Sequence, residues 1–152
     1  MSEPASSGPA AGALARPVPV PDERSAGFWA AAARHQLTAS CCDHCGWLAY
    51  PPTIVCHRCS TVPAAFHDQP VSGRGRLVTW TVLHTAFLPA FAPDLPYVVA
   101  DVELVEQPGL RLVAYLLDGP EADLALGAPI EVVFEDVEAG VAVPRVRLVG
   151  RP

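Results

Sequence analysis

Residues 41–60 read CCDHCGWLAYPPTIVCHRCS and contain all five cysteines of the 152-residue chain. Four of them form two CxxC pairs, Cys42/Cys45 and Cys56/Cys59, with ten residues between the pairs. Two tight turns that each end in a cysteine can bring four thiolates around one ion. Gly46 strengthens the first turn, because a turn of this kind can require a positive φ, which glycine adopts without steric cost. The spacing predicts one tetrahedral metal site.

The choice of ligands leaves some alternatives open. Cys41 could replace Cys42, but Cys42 gives the two-residue interval, so Cys41 is interpreted as a spare thiol. His44 and His57 lie inside the pairs and are expected to face solvent rather than bind the metal. Four sulfurs suit Zn²⁺, although they do not exclude iron. Four protein ligands leave no coordination position for water, so the predicted role of the metal is structural.

A short strand and a turn fit between the two pairs, which is typical of a rubredoxin-like zinc ribbon. After residue 62 the chain changes to short β-branched runs separated by Gly, Pro and Asp. We predict a five-stranded barrel of the OB type, with a helical or turn element at Pro120–Leu124 between its third and fourth strands. The predicted strands are Arg76–His84, Tyr97–Leu104, Gly109–Leu117, Ile130–Phe134 and Val143–Leu148.

The whole chain is therefore predicted to be mainly β, in four segments. Residues 1–21 are rich in Ala, Pro, Gly and Ser and are expected to form a disordered tail. Residues 22–40 contain one short helix and a lead-in strand, residues 41–62 the zinc ribbon, and residues 63–152 the OB-fold domain. The helix either covers the protein's own core or presents Phe28 and Trp29 to a partner.

Charge and motif content exclude several classes of function. The net charge is −6, all ten basic residues are Arg, and the excess of acid lies entirely in residues 64–152. Phosphate-backbone binding is disfavoured, because it needs concentrated positive charge. No cationic, apolar leader and no run of 18 apolar residues occurs, so we expect a cytoplasmic protein without membrane association. GxSxG, HExxH and the HxE of zinc deaminases are absent, and no nucleophile setting is recognisable.

The order of these features resembles the zinc-ribbon and OB-fold accessory proteins once catalogued as domain of unknown function thirty-five. The resemblance extends from Phe28 to about Leu148. The residues that carry it are Phe28-Trp29, Cys42/Cys45/Gly46, Tyr50-Pro51-Pro52, Cys56/Cys59, Ser72-Gly73-Arg74-Gly75, Pro96-Tyr97-Val98-Val99-Ala100 and the segment from Gly127 to Phe134. His57 departs from the pattern, because the family usually has proline after the third cysteine.

The resemblance implies a non-catalytic subunit of a hetero-oligomer, beside a thiolase-like enzyme, or sometimes a hot-dog-fold hydratase, that acts on acyl-CoA thioesters. The loop from Thr85 to Pro96 reads TAFLPAFAPDLP and carries one charge. Phe87, Leu88 and Phe91, together with Phe28 and Trp29, are expected to form an apolar patch that the partner covers. The alternative is a loop folded over its own barrel. Arg74 and Arg76 flank Gly75 in a predicted turn or bulge and could reach CoA phosphates at the subunit junction.

Two other functions stay open as hypotheses. A nucleic-acid-binding zinc ribbon with an OB barrel is compatible with both modules, but the net charge is wrong for it. A stand-alone thioesterase would need a nucleophile setting that the sequence does not offer. Trp80, Tyr97 and Tyr115 lie at strand positions and are interpreted as packing residues rather than as a platform for stacking bases.

Overall fold

The computed structural model describes residues 16–150. The chain begins with helix α1 (Ala26–Ala32). A three-stranded antiparallel sheet follows, in the order β2-β1-β3. Its strands are β1 (Thr38–Cys42), β2 (Leu48–Ala49) and β3 (Phe66–Pro70). These strands and the two cysteine turns, residues 38–70, are called the ribbon below.

Five further strands close into a barrel in the order β4-β5-β6-β8-β7. They are β4 (Arg74–Leu83), β5 (Tyr97–Leu104), β6 (Arg111–Leu116), β7 (Pro129–Glu138) and β8 (Val141–Leu148). A 3₁₀ helix (Pro89–Asp94) lies in the connection from β4 to β5. The predicted five-stranded, OB-like barrel is confirmed. At Pro120–Leu124 the chain forms a turn at residues 120–121 and a bend at residue 122, and no helix.

Alternation of apolar side chains explains how the barrel closes on its core. Strand β5 is buried at every second residue, with Val98, Ala100 and Val102 facing inward. On β4 the register shifts between Leu77 and Thr79, so Leu77 and Trp80 both pack inward although they are three residues apart. The barrel core comprises Leu77, Val98, Ala100, Val102, Leu112, Leu116, Ile130 and Val146.

A second cluster, called the junction core, joins the helix, the ribbon and the barrel. It comprises Phe28, Leu37, Ala39, Leu104 and Leu110. Tyr50 packs against both cores, and its ring lies 5.4 Å from that of Phe28. Burial raises the pKa of Tyr50 to about 12. The junction core therefore fixes the ribbon against the barrel.

Only the last part of the predicted N-terminal tail lies within the described residues. Residues 1–15 of the predicted tail lie outside the described residues. Residues 16–21 have no regular secondary structure, yet the Arg16 guanidinium lies 2.6 Å from an Asp94 carboxylate oxygen of the 3₁₀ helix. The division of the chain into four domains remains a prediction.

Candidate metal centre and partner surface

The two CxxC turns bring four sulfur atoms together at one end of the ribbon. Their Sγ atoms all lie within 4.8 Å of one another; Cys42 and Cys59 are 3.9 Å apart, and Cys45 and Cys56 are 3.6 Å apart. Zn–S bonds of about 2.3 Å in a tetrahedron place the sulfurs roughly 3.8 Å apart. The four side chains thus have the spacing that a tetrahedral thiolate site requires.

Both turns have the same backbone geometry. The Gly46 N–H donates to the Cys42 carbonyl at 2.8 Å, and the Ser60 N–H donates to the Cys56 carbonyl at 2.8 Å. Gly46 has a φ of +71°, as predicted, and Ser60 adopts a φ of +53° at the equivalent position. The turns are therefore paired knuckles, although only one of them uses glycine.

The surroundings of the sulfurs differ. Cys42 and Cys56 are 1% exposed, whereas Cys45 is exposed. A hydrogen bond from the Thr61 hydroxyl, supported by the backbone of Thr61, lowers the pKa of Cys59 to about 5. The Thr61 hydrogen bonds therefore favour the thiolate form of Cys59. Thiolates are the form in which cysteine binds metals.

The remaining candidate ligands lie outside the cluster. Within residues 16–150, the group of potential metal-binding side chains contains the four cysteines and neither Cys41 nor a histidine. Cys41 is buried, and burial raises the pKa of its thiol. His44 and His57 are exposed. The arrangement would hold a metal in a closed shell; metal binding by these residues remains a prediction.

The predicted partner residues do not form one patch. Phe28 is 3% exposed and belongs to the junction core, so its ring is unavailable to a partner in this conformation. Its burial supports the interpretation that α1 covers the protein's own core. Trp29 is half-buried and lines a 340 Å³ cavity with Pro19, Ala33 and Val141. The sequence pattern places Phe28 on the helix but does not determine which element covers it.

The loop before the 3₁₀ helix is exposed. Phe87 is 94% exposed and Leu88 is 50% exposed. Phe91 is half-buried, and the Arg16 guanidinium lies 5.0 Å from its ring centroid. The loop therefore leaves Phe87 and Leu88 uncovered, whereas Phe91 and Leu95 are partly buried. Phe87 and Leu88 are called the exposed pair below.

The two candidate CoA-binding arginines lie on strand β4 rather than in a turn or bulge, so that expectation was wrong. Gly75, between them, faces β5 and β7, and a Cβ there would lie 2.3 Å from the Glu103 carbonyl oxygen. This close approach, rather than a turn, accounts for the glycine. Arg76 pairs with Glu103 at 2.5 Å, whereas the described residues offer Arg74 no ion pair.

The aromatic strand residues form a small stacked group. The rings of Tyr97 and Tyr115 are 5.2 Å apart and nearly parallel, and the Arg145 guanidinium lies 5.0 Å from the Tyr115 ring centroid. Trp80 packs on the barrel core, as expected. Sequence reasoning missed the contact of Arg145 with Tyr115, because residues 30 apart carry no local signal of proximity.

Comparison with known proteins agrees with this architecture. Residues 68–135 match the model of the family described as ChsH2, C-terminal OB-fold domain. A DUF35 domain-containing scaffold protein of Methanocaldococcus jannaschii is 32% identical over 112 residues, which cover 71% of this chain and 77% of the relative. The chain belongs to the DUF35 family. A DUF35 scaffold protein of Methanothermobacter thermautotrophicus is 34% identical over 104 residues, 68% of this chain and 75% of that relative.

Solved structures extend the likeness of this DUF35 chain to three dimensions. A chain of the Ltp2-ChsH2(DUF35) aldolase superposes with a TM-score of 0.72 and 28% identity, covering 86% of this chain and 98% of that chain. A DUF35 protein of unknown function from Sulfolobus solfataricus gives a TM-score of 0.53 at 16% identity, covering 80% of this chain and 82% of that chain. The second likeness shows the fold alone. Among the described residues, no helix is long and apolar enough to cross a bilayer.

Proposed function

We propose that this chain is a non-catalytic accessory subunit that binds and supports a thiolase-like enzyme acting on acyl-CoA thioesters, by condensation, thiolysis or retro-aldol cleavage. Its DUF35 relatives are named scaffold proteins, and one similar chain comes from an aldolase complex. The observation that carries the proposal is the exposed pair, Phe87 and Leu88. A partner that covered these two adjacent side chains would remove their apolar surface from water.

The energetics of the exposed pair favour a binding role. An aromatic side chain can bury about 150–250 Å² at an interface. Full burial of one large apolar side chain contributes roughly 1.5–3 kcal/mol. Phe87 and Leu88 are adjacent, so one apolar depression on a partner could take both. Interfaces commonly depend on a few such central anchors surrounded by weaker contacts.

The cysteine cluster contributes structure rather than catalysis in this proposal. We assign it Zn²⁺, which four thiolates hold in a closed tetrahedral shell without an open position for water or substrate. Bound zinc would supply folding energy to the ribbon, because the knuckle segment has few buried side chains besides Cys42 and Cys56. No reaction step passes through this site.

In this proposal, Arg74 contributes to CoA binding at the subunit junction. Its side chain is exposed and forms no salt bridge within residues 16–150, although its charge helps to lower the pKa of the Glu106 carboxyl. Arg76 is less suited, because Glu103 already neutralises its charge. A phosphate would have to compete with that carboxylate for the same guanidinium. Arg74 is therefore the position at which charge removal should affect a CoA thioester.

Nucleic-acid binding gains no support from the barrel. Its ion pairs are Arg76 with Glu103, Arg111 with Asp101, Arg145 with Glu135 and Arg147 with Glu131. Single-strand binding by an OB fold needs a positive groove with aromatic platforms. On the described barrel, only Arg74 forms no salt bridge, and its charge still acts on the nearby Glu106 carboxyl. The charges there are internally compensated, and a groove of free positive charge does not form.

The test is affinity capture of the tagged chain from its own source, with mass-spectrometric identification of whatever binds. We expect a thiolase-fold enzyme to co-purify with the wild type and to be lost from F87A/L88A. Leu126→Ala is the matched control, because Leu126 is 74% exposed but lies in the connection from β6 to β7. Capture of a hot-dog-fold hydratase alone, equal capture by F87A/L88A, or acyl-CoA turnover by the isolated chain would overturn the proposal.

A further inference from the structure

The N-terminal segment is fastened to the 3₁₀ helix that follows the exposed pair. The Arg16 guanidinium donates to an Asp94 carboxylate oxygen at 2.6 Å and to the Ala90 carbonyl at 3.3 Å. The same group lies 5.0 Å from the centroid of the Phe91 ring. One side chain thus contacts the beginning, middle and end of the helix. We call these four residues the Arg16 clamp.

The 3₁₀ helix has few stabilising contacts of its own, so the contacts with Arg16 help to hold it in place. It begins with Pro89 and contains Pro93, neither of which has an N–H to donate. Two hydrogen bonds tie its ends to the flanking residues: the Phe91 N–H donates to the Leu88 carbonyl at 3.0 Å, and the Leu95 N–H donates to the Ala92 carbonyl at 3.3 Å. None of its residues is buried. Short 3₁₀ helices of this kind have poor hydrogen-bond geometry and few contacts that hold them in place.

The clamp is also a favourable charge arrangement. The Asp94 side chain is 23% exposed, and among the described residues its ion-pair partner is Arg16. A partly buried carboxylate that loses its partner is destabilised where it lies and favours movement into water. Burial raises the pKa of the nearby Tyr115; the Asp94 charge adds to this shift, whereas Arg145 and Arg16 oppose it. These charges therefore lie together over one end of the barrel.

The N-terminal segment spans a cavity rather than packing densely. Arg16, Val18 and Pro19 line a space of about 640 Å³ together with Phe91 and Arg145. No backbone hydrogen bond joins residues 16–21 to the barrel in the described structure. The guanidinium contacts of Arg16 are thus the specific polar attachment of this segment to the helix. Breaking them would release both.

We propose that Arg16 is a positioning residue that, through Asp94 and Phe91, holds the 3₁₀ helix so that Phe87 and Leu88 are presented to a partner in one conformation. The identity of the partner that binds Phe87 and Leu88 rests on the proposed function. The contacts of the Arg16 clamp do not depend on it. A surface already ordered in its bound conformation loses less entropy on binding. The clamp should therefore strengthen partner binding without contacting the partner.

The experiment on the free chain is residue-resolved hydrogen exchange of the Phe91 and Leu95 amides. We expect exchange in Arg16→Ala to be about fivefold faster or more. Arg16→Lys keeps the charge but loses the forked guanidinium that reaches Ala90, so its exchange rate should lie between those of the wild type and Arg16→Ala. Arg24→Ala is the matched control: it removes the same charge nearby, and the Arg24 side chain has no hydrogen bond or ion pair to a described residue. It should exchange as the wild type does.

Asp94→Asn tests the other half of the clamp. It should quicken the same two amides, and R16A/D94N should exchange no faster than R16A alone, because the two changes remove one interaction. Raising the salt to about 1 M should move the wild type towards R16A and leave R16A unchanged. Equal exchange of the two amides in wild type and R16A, or quickening by R24A as well, would overturn the clamp.

The binding arm separates the clamp from the proposed function. The probe is the thiolase-fold enzyme captured by the wild type. We expect its Kd to rise about three- to tenfold with R16A, more with F87A/L88A, and not with R24A. Faster exchange with unchanged Kd would overturn the positioning role. Failure of the wild type to capture any such enzyme would instead contradict the proposed function, while the exchange result would still decide the clamp.

Discussion

Cys56 and Cys41 are both buried, yet the structure gives them different surroundings. The Cys56 sulfur lies 3.6 Å from that of Cys45 within the four-sulfur cluster, whereas Cys41 lies on β1 outside it. The two-residue spacing of the CxxC pair was enough to choose Cys42 over Cys41, because the sulfur of Cys42 lies in the cluster and that of Cys41 does not. Spacing between ligands is thus a strong signal, because one ion constrains all four positions together.

Removing a cluster sulfur should therefore differ from removing the spare one. We expect Cys56→Ser to lose bound zinc and to lower the free energy of unfolding by about 4 kcal/mol or more, because it opens the coordination shell in a buried place. Cys41→Ser should retain one zinc per chain and lose about 1–2 kcal/mol. Metal analysis and denaturant titration measure both. Equal zinc content in the two variants would contradict this ligand assignment.

The sequence placed Gly75 in a turn or bulge, but the structure explains this glycine by the close approach of a neighbouring strand. Its surroundings on the sheet, rather than a turn, exclude a side chain. We expect Gly75→Ala to cost about 3 kcal/mol, because its Cβ would collide with the Glu103 backbone. Gly140→Ala is the control: Gly140 has a φ of +76° with open space around it, so the cost is backbone strain of about 1 kcal/mol. Chemical denaturation that ranked the two equally would refute the close approach.

At the scale of elements, sequence patterns predicted strand β5 but not the contacts between elements that are distant in sequence. The β-branched run from Tyr97 to Leu104 predicted β5 with both ends correct. The bulge on β4 and the pairing of β6 with β8 depend on neighbours distant in sequence, so no local pattern gave them. The same holds for Phe28, whose burial depends on Tyr50 and Leu37.

Gln107 joins two elements through a contact with no sequence signature. Its side-chain amide accepts from the Leu48 N–H at 2.9 Å and donates to the Leu48 carbonyl at 2.8 Å, which ties strand β2 to the turn after β5. We expect Gln107→Ala to lower the free energy of unfolding by about 1–3 kcal/mol and to quicken exchange of the Leu48 amide. Gln69→Ala, at an exposed position, should do neither. An unchanged Leu48 amide in Q107A would disprove the tie.

Glu103 gives the β5–β6 turn a dependence on pH. Hydrogen bonds from the Gly109 N–H and from Arg76 lower the pKa of Glu103. A lowered folded-state pKa means stability that is present above the unfolded value of about 4.5 and lost as the pH falls through the folded value. We expect Glu103→Gln to be less stable than the wild type at neutral pH, with the difference shrinking below pH 4.5 or so. Denaturation across pH would refute this if the difference were constant.

At the scale of the whole molecule, two hydrophobic cores and one sulfur cluster hold different parts of the chain together. The barrel core stabilises the five strands, and the junction core fixes the helix and the ribbon to them. The order of helix, ribbon and barrel could be predicted, because each has its own local signal: an alanine-rich run, paired cysteines, and β-branched runs between turns. The burial of Phe28 could not be predicted, because it depends on how the three parts pack.

We propose that this DUF35 chain works as one part of a hetero-oligomer with a thiolase-like enzyme. Native mass spectrometry of the two proteins after co-expression tests it most directly. We predict a complex that contains both chains, with one zinc ion for each copy of this chain, and its loss in F87A/L88A but not in L126A. Separate masses for the two wild-type proteins, at concentrations where each is folded, would contradict the claim.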